Sequence, residues 1–245
     1  MGVQVPLRAP HVLSFQFSRA CPACVGQAID NAGFEQFLGY LFWRFAKLRE
    51  TAEIPLARIQ RLSLSQYDRL VAGLLATPSG GRFPLMMAAA TFTALKKYFG
   101  KSDWLITVQG INVADAASGA GGDITITRDG GVLMVIEVTE RPIDQARVTA
   151  IFNTKIVQGG IEDYLFLGRG DVAATAIAQA NQYFAQGHEV NFLDLRSWIH
   201  ANLATIGKHG RAIFSNCLLE MLARRGVPQS LKAAWNKQVS ALTEA

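Results

Sequence analysis

The stretch that most constrains this 245-residue chain is Val132 to Val138, VLMVIEV, a nearly unbroken apolar run carrying one carboxylate, Glu137. A run this apolar predicts a strand buried on both faces, where an ionised acid is costly unless it is paired or holds a metal. A cation is therefore expected beside Glu137. The run follows Asp129-Gly130-Gly131 and an earlier strand that opens on Asp123 after a glycine pair, so the two strands read as a hairpin. A two-residue loop at Asp129-Gly130 pairs Arg128 with Gly131 and puts Asp123 opposite Ile136, with the two acids on opposite faces. A three-residue loop, Asp129 to Gly131, pairs Arg128 with Val132 and sets Asp123 opposite Glu137. Asp-Gly-Gly suits the longer loop, because a glycine supplies the left-handed residue it needs. Thr139, two residues past Glu137, then projects from the same face.

The next segment supplies the cation. After Pro142, the residues Val148, Ile151, Phe152 and Ile156 recur at helical spacing, and Lys155 falls inside that stripe. A lone lysine on such a stripe commonly packs its stem and sends its amine to the helix edge. With two acids converging nearby, the expectation here is an active-site lysine.

Asp123, the hairpin, Glu137-Val138-Thr139, the helix and the strand Asp163-Tyr164-Leu165-Phe166-Leu167 together resemble the core of the PD-(D/E)XK nucleases. The wording of TPSGGRFP (77–84), QGINVADAASGAGGD (109–123), IEVTERPID (136–144) and FNTKI with GGIEDYLF (152–166) resembles the SacI-type type II restriction endonucleases in particular. The similarity runs roughly from Leu64 to Trp235. It implies an α/β fold, a restriction-endonuclease-like core with a mixed central sheet flanked by helices. Helical extensions are expected at both ends, giving residues 1–62 as an N-terminal extension, 63–206 as the nuclease core and 207–245 as a C-terminal extension packed on it.

The resemblance also implies chemistry. Asp123 and Glu137 would bind one or two Mg2+, with the Val138 carbonyl as a further ligand. Thr139 departs from the family formula, which has a lysine there; a hydroxyl can hold a water but carries no charge. Lys155 is the candidate for a relocated lysine, with Arg141 in reserve. The expected catalytic group is thus Asp123, Glu137, Thr139 and Lys155. The partner would be double-stranded DNA, contacted by Arg82, Gln109, Asn112, Arg141 and Arg147. Arg82 in a Gly-Gly-Arg loop suits a phosphate, and the amides of Gln109 and Asn112 suit adenine edges. A two-fold homodimer is expected, since its symmetry mirrors that of a palindromic site. The function so implied is a Mg2+-dependent type II restriction endonuclease. The alternatives are another PD-(D/E)XK nuclease of DNA repair or defence and a catalytically inactive DNA-binding member of the fold.

Composition permits this reading without requiring it. The formal charge of +5 is compatible with a nucleic-acid partner. Cys21, Cys24 and Cys217 form an odd set with no secretory context, which fits a reducing cytoplasm. Cys21-Pro-Ala-Cys24 has no second pair to complete a zinc set, and it precedes a helical pattern where a redox motif would follow a strand. No apolar run reaches membrane-spanning length, and MGVQVPLRAPHVLSF lacks a signal peptide's continuous apolar core. That opening also reads little like the start of a compact domain, so a truncated or misannotated start is a third alternative.

The remaining pattern is helical with short strands. A wide aromatic stripe, Phe34 to Leu48, predicts an amphipathic helix that packs on the core or forms a dimer interface. Ser63 or Ser65 caps a helix through Leu75, and another begins near Pro84. Trp104 to Val108 is the first strand, and Gln109 to Gly122 a long loop with Asp115 as a turn acid. Residues 171–186 predict a helix with Ile177 and Phe184 facing in, and Glu189 to Leu193 a last strand. Three helices follow, broken near Gly207–Gly210 and Gly226–Pro228. Lys208, His209, Arg211, Arg224 and Arg225 there read as solvated surface.

Overall fold

The computed structural model describes residues 31–51, 54–59, 61–109 and 122–243. Asn112, Asp115, Cys21 and Cys24 lie outside them. The chain divides into two compact units, Met1–Glu53 and Ile54–Ala245. In the first, α1 (Asn31–Thr51) is a single helix. Phe34, Phe37, Tyr40, Phe42, Trp43 and Phe45 are exposed along it.

The second unit is built on a five-stranded sheet in the order β1 (Trp104–Val108), β2 (Ile124–Arg128), β3 (Gly131–Thr139), β4 (Asp163–Gly168), β5 (Glu189–Asp194). The first three strands run antiparallel and β3, β4 and β5 run parallel, giving the mixed sheet of a restriction-endonuclease-like core. The hairpin tip differs from the three-residue loop expected from the sequence. Asp129 and Gly130 both have positive φ, 53° and 81°, the two left-handed residues of a tight two-residue turn, and Arg128 pairs with Gly131. Asp129 tolerates this region because its short polar side chain can bond locally. The register then shifts between Ile126 and Thr127, leaving Leu133 as the extra residue of a bulge. Beyond it Ile126 pairs with Met134 and Ile124 with Ile136. One further step along the ladder sets Asp123 level with Glu137, so the expected alignment of the acids is reached by a different route.

Both faces of the sheet are covered. Ile124, Ile126, Ile136, Leu165 and Leu167 face a core shared with α2 (Leu64–Ala76), α3 (Arg82–Tyr98), α7 (Leu195–Thr205), α8 (Gly207–Ala223) and α9 (Gln229–Thr243). Phe214, Leu218 and Trp235 belong to this same core, and each fully buried large apolar side chain contributes on the order of 2 kcal/mol. Residues 54–59 are tied to α9: Asn236 Nδ2 donates to the Pro55 carbonyl, and Trp235 Nε1 to that of Ala57, both at 2.8 Å. On the other face Val135, Tyr164, Phe166 and Val190 pack beneath α4 (Gln145–Ile151) and α6 (Ala174–Phe184).

Local capping explains the helix starts. Ser63 and Gln66 form a reciprocal capping box on α2, and Asp144 and Asp194 cap α4 and α7. Arg82, expected in a connecting loop, is the first residue of α3, because Gly81 at φ 78° already turns the chain into the helix. Helix α6 presents a different side from that expected: Ala176, Ala180 and Tyr183 are buried while Ile177 and Phe184 are exposed. Its alanines allow close approach, and the Tyr183 ring stacks on Phe152 with centroids 3.5 Å apart. The break between α7 and α8 is confined to Ile206, so Lys208, His209 and Gly210 are helical.

Candidate active site

Glu137 lies near the carboxyl end of β3, next to β4 in the parallel half of the sheet, where open α/β sheets gather ligands. Its side chain faces the α4 side with Thr139, Val135 and, across the parallel pairing, Tyr164 and Phe166. The Glu137 side chain is only 12 % exposed, and three donors converge on it. Arg147 Nη2 reaches Oε1 at 2.7 Å, Tyr164 OH donates to Oε2 at 2.7 Å, and Lys155 Nζ to Oε2 at 3.3 Å. Arg147 Nη1 also donates to Thr139 Oγ1 at 2.9 Å, so one planar guanidinium spans both side chains. Its Cζ sits 6.0 Å from the centroid of the Phe166 ring.

Lys155 reaches the acid because its helix changes type. Arg147 and Lys155 are eight residues apart, which on a regular α-helix overshoots two turns by about 80°. After α4 the segment Phe152–Ile156 is a π-helical turn, closed by the Val157 N–H on the Phe152 carbonyl, before Val157–Gly159 (α5) resumes α-geometry. A turn that takes in an extra residue removes much of the offset and brings both cations to one carboxylate. The expected cation at Glu137 is therefore Lys155 together with Arg147. Arg147, expected from the sequence among the DNA contacts, donates within the cluster to Glu137 and Thr139.

Asp123 is placed by its backbone neighbours. Its Oδ2 accepts the Val138 N–H at 2.8 Å, and its carbonyl accepts the Gln109 N–H at 2.9 Å. Gly122 has to be glycine: a Cβ there would stand 2.8 Å from the Ile136 carbonyl oxygen and 2.6 Å from Val135 Cγ1. That close approach seats Asp123 against β3. Gln109 is thus a half-buried residue at the end of β1. Arg141 has an exposed side chain, and its backbone N–H donates to Thr139 Oγ1 at 3.1 Å.

Electrostatics follow the contacts. Burial is the largest effect on Glu137 and pushes its pKa up, but the Tyr164 and Arg147 hydrogen bonds and the Lys155 and Arg147 charges outweigh it, leaving the carboxyl below its usual range. Burial foremost, then the neighbouring Glu137 carboxylate, drives the Tyr164 phenol far above its ordinary value. Tyr164 is a permanent donor at neutral pH. Sequence reasoning passed over it; the available signal was a tyrosine in an otherwise aliphatic and aromatic strand, alternating in phase with Phe166.

As a donor set for metal, Asp123, Glu137 and the Val138 carbonyl offer oxygen alone, the chemistry that hard divalent cations take. Among the described residues no three His, Cys, Asp or Glu side chains gather to hold an ion. A cation here would complete its shell with water or substrate oxygens, as Mg2+ commonly does. The residues fit on that basis. Two acids and two bases otherwise balance: Asp123 and Glu137 against Arg147 and Lys155.

No described helix is long and apolar enough to cross a membrane. Residues 60–170 match the family of the SacI restriction endonuclease C-terminal domain, a span running from before α2 through β4 and including every side chain of the cluster. Comparison with curated proteins gives no match.

Proposed function

We propose, from the premise that the chain carries a SacI-type restriction endonuclease domain, that it is a Mg2+-dependent type II enzyme cutting double-stranded DNA at a short specific site. The observation that carries the reading is the convergence of Lys155 on Glu137 at 3.3 Å, beside Asp123, which immediately precedes the adjoining strand and accepts the Val138 N–H. It supplies the ammonium that Thr139 does not. Mg2+, when bound, supplies Lewis-acid neutralisation of the phosphate. Asp123 and Glu137 are the carboxylates that would hold it, with the Val138 carbonyl beside them. Lys155 orients the attacking water and stabilises negative charge developing on the phosphate oxygens. Tyr164 keeps Glu137 in one rotamer, so the acid is pre-positioned.

Arg82, Gln109, Asn112 and Arg141 are the proposed DNA contacts, and a homodimer on a palindromic site is the proposed assembly. A second reading, a DNA-binding protein of this fold without catalysis, is favoured by Thr139 and by the full set of protein donors on Glu137. Cleavage of a mixed-sequence plasmid in Mg2+ separates the two. Discrete fragments from the wild type, lost in Glu137→Ala and Lys155→Ala, are expected. Retained DNA binding with no cleavage by the wild type supports the second reading instead.

A further inference from the structure

Thr139 and Arg147 are joined to each other as well as to Glu137. The Arg147 fork takes Glu137 Oε1 with one nitrogen and Thr139 Oγ1 with the other, at 2.7 and 2.9 Å. Thr139 is buried, and its hydroxyl also accepts the Arg141 N–H. A lysine at 139 would place a second cation against the guanidinium and remove the acceptor that orients it. Both oxygens of Glu137 are occupied, Oε1 by Arg147 and Oε2 by Tyr164 and Lys155. A divalent cation approaching Glu137 therefore meets a carboxylate that is already neutralised.

Resting on the nuclease reading, we propose that Arg147 is a resident counter-cation that competes with the divalent metal for Glu137. Thr139 is the post that holds it there, and the freed guanidinium turns to the DNA phosphate. Displacement is feasible because the Arg147 side chain is 25 % exposed, so its fork can leave without unpacking the core. With Asp123 and Glu137 balanced by Arg147 and Lys155, an added divalent ion leaves the cluster with excess positive charge facing a phosphodiester. Metal and DNA then bind with positive coupling, since each draws Arg147 away from Glu137 or profits from its departure. Arg147 and Thr139 are positioning residues in this scheme, acting on metal binding through Glu137.

The test is calorimetric titration of Mn2+ into the full-length protein without DNA, with thermal melts to confirm folding. Arg147→Met is expected to bind Mn2+ about tenfold tighter than wild type, the scale of one charge-assisted hydrogen bond removed from competition. Thr139→Val, close to isosteric, is expected to give a smaller gain in the same direction, and Thr139→Ser to restore wild-type affinity. Thr139→Val carries the test if Arg147→Met does not fold. Glu137→Gln is expected to abolish the Glu137-dependent binding. No gain of affinity in the folded Arg147 or Thr139 variants, while Glu137→Gln still abolishes binding, overturns the counter-cation role and leaves the metal-site reading standing. Unchanged Mn2+ binding in Glu137→Gln overturns the metal-site reading and the proposal with it.

Discussion

Two carboxylates in this protein are clasped by an arginine at 2.7 Å with a second basic residue alongside, in different surroundings. Glu137 stands on a central strand with Arg147 and Lys155; Asp68 stands on α2 with Arg196 and His200. Both have depressed pKa values. For Asp68 the Arg196 hydrogen bond is the main cause, whereas for Glu137 burial is the largest effect and works the other way. The Asp68 side chain is 29 % and Arg196 50 % exposed, so water and salt screen that pair. The same 2.7 Å arginine contact is thus part of a two-pronged surface clasp between helices in one place and of a desolvated cluster on the central sheet in the other. Desolvation, rather than distance, separates them.

The comparison breaks first on substitution. Glu137→Gln is expected to remove DNA cleavage and to lower stability by about 2 kcal/mol, because Arg147 and Lys155 lose their shared counter-charge. Asp68→Asn is expected to leave cleavage intact and to change stability by about 0.5 kcal/mol or less. Plasmid digestion and urea denaturation check both, and equal effects of the two variants would dissolve the distinction.

Acid titration sharpens it. Both folded-state pKa values lie below their unfolded values, so each carboxylate's stabilisation is present above the unfolded value and is lost as pH falls through the folded one. In urea melts from pH 6 down to about pH 3, Glu137→Gln should flatten the acid-side loss more than Asp68→Asn does, and 0.5 M salt should narrow only the Asp68 difference.

A third carboxylate, Asp163, has no ion-pair partner among the described residues. Asp163 starts β4 opposite Glu189 of β5, its Oδ1 is buried without a hydrogen bond, and burial, then Glu189, raises its pKa. The sign is reversed: its share of stability is full below the unfolded value and lost as pH rises through the folded one. Asp163→Asn is therefore expected to stabilise the protein at pH 7 by about 0.5 kcal/mol, read as a small rise in Tm.

How much of this was legible in the sequence depends on how local the cause is. Strand β1, with Trp104–Val108 as its bounds, and the Ser63 cap follow from alternation and capping chemistry within a few residues. The need for a cation at Glu137 followed from a carboxylate in an apolar strand, and Lys155 answers it. What was missed depends on tertiary geometry. A π turn cannot be read from a 3.6-residue period, and without it Arg147 and Lys155 do not align. Tyr164 enters only through the parallel pairing of β3 with β4. Helix α6 misled because side-chain size points to Ile177 and Phe184, while the sheet selected the narrow alanine side for close approach.

The tight turn at Asp129-Gly130 and the bulge at Leu133 carry one last implication, for engineering. Whether the surplus residue sits in the turn or at Leu133, Ile124 still meets Ile136, so the tip can be rebuilt while the acids stay in step. A fluorophore attachment site or short epitope grafted between Asp129 and Val132 would be mechanically insulated from the cluster, giving a reporter on the sheet that carries Glu137.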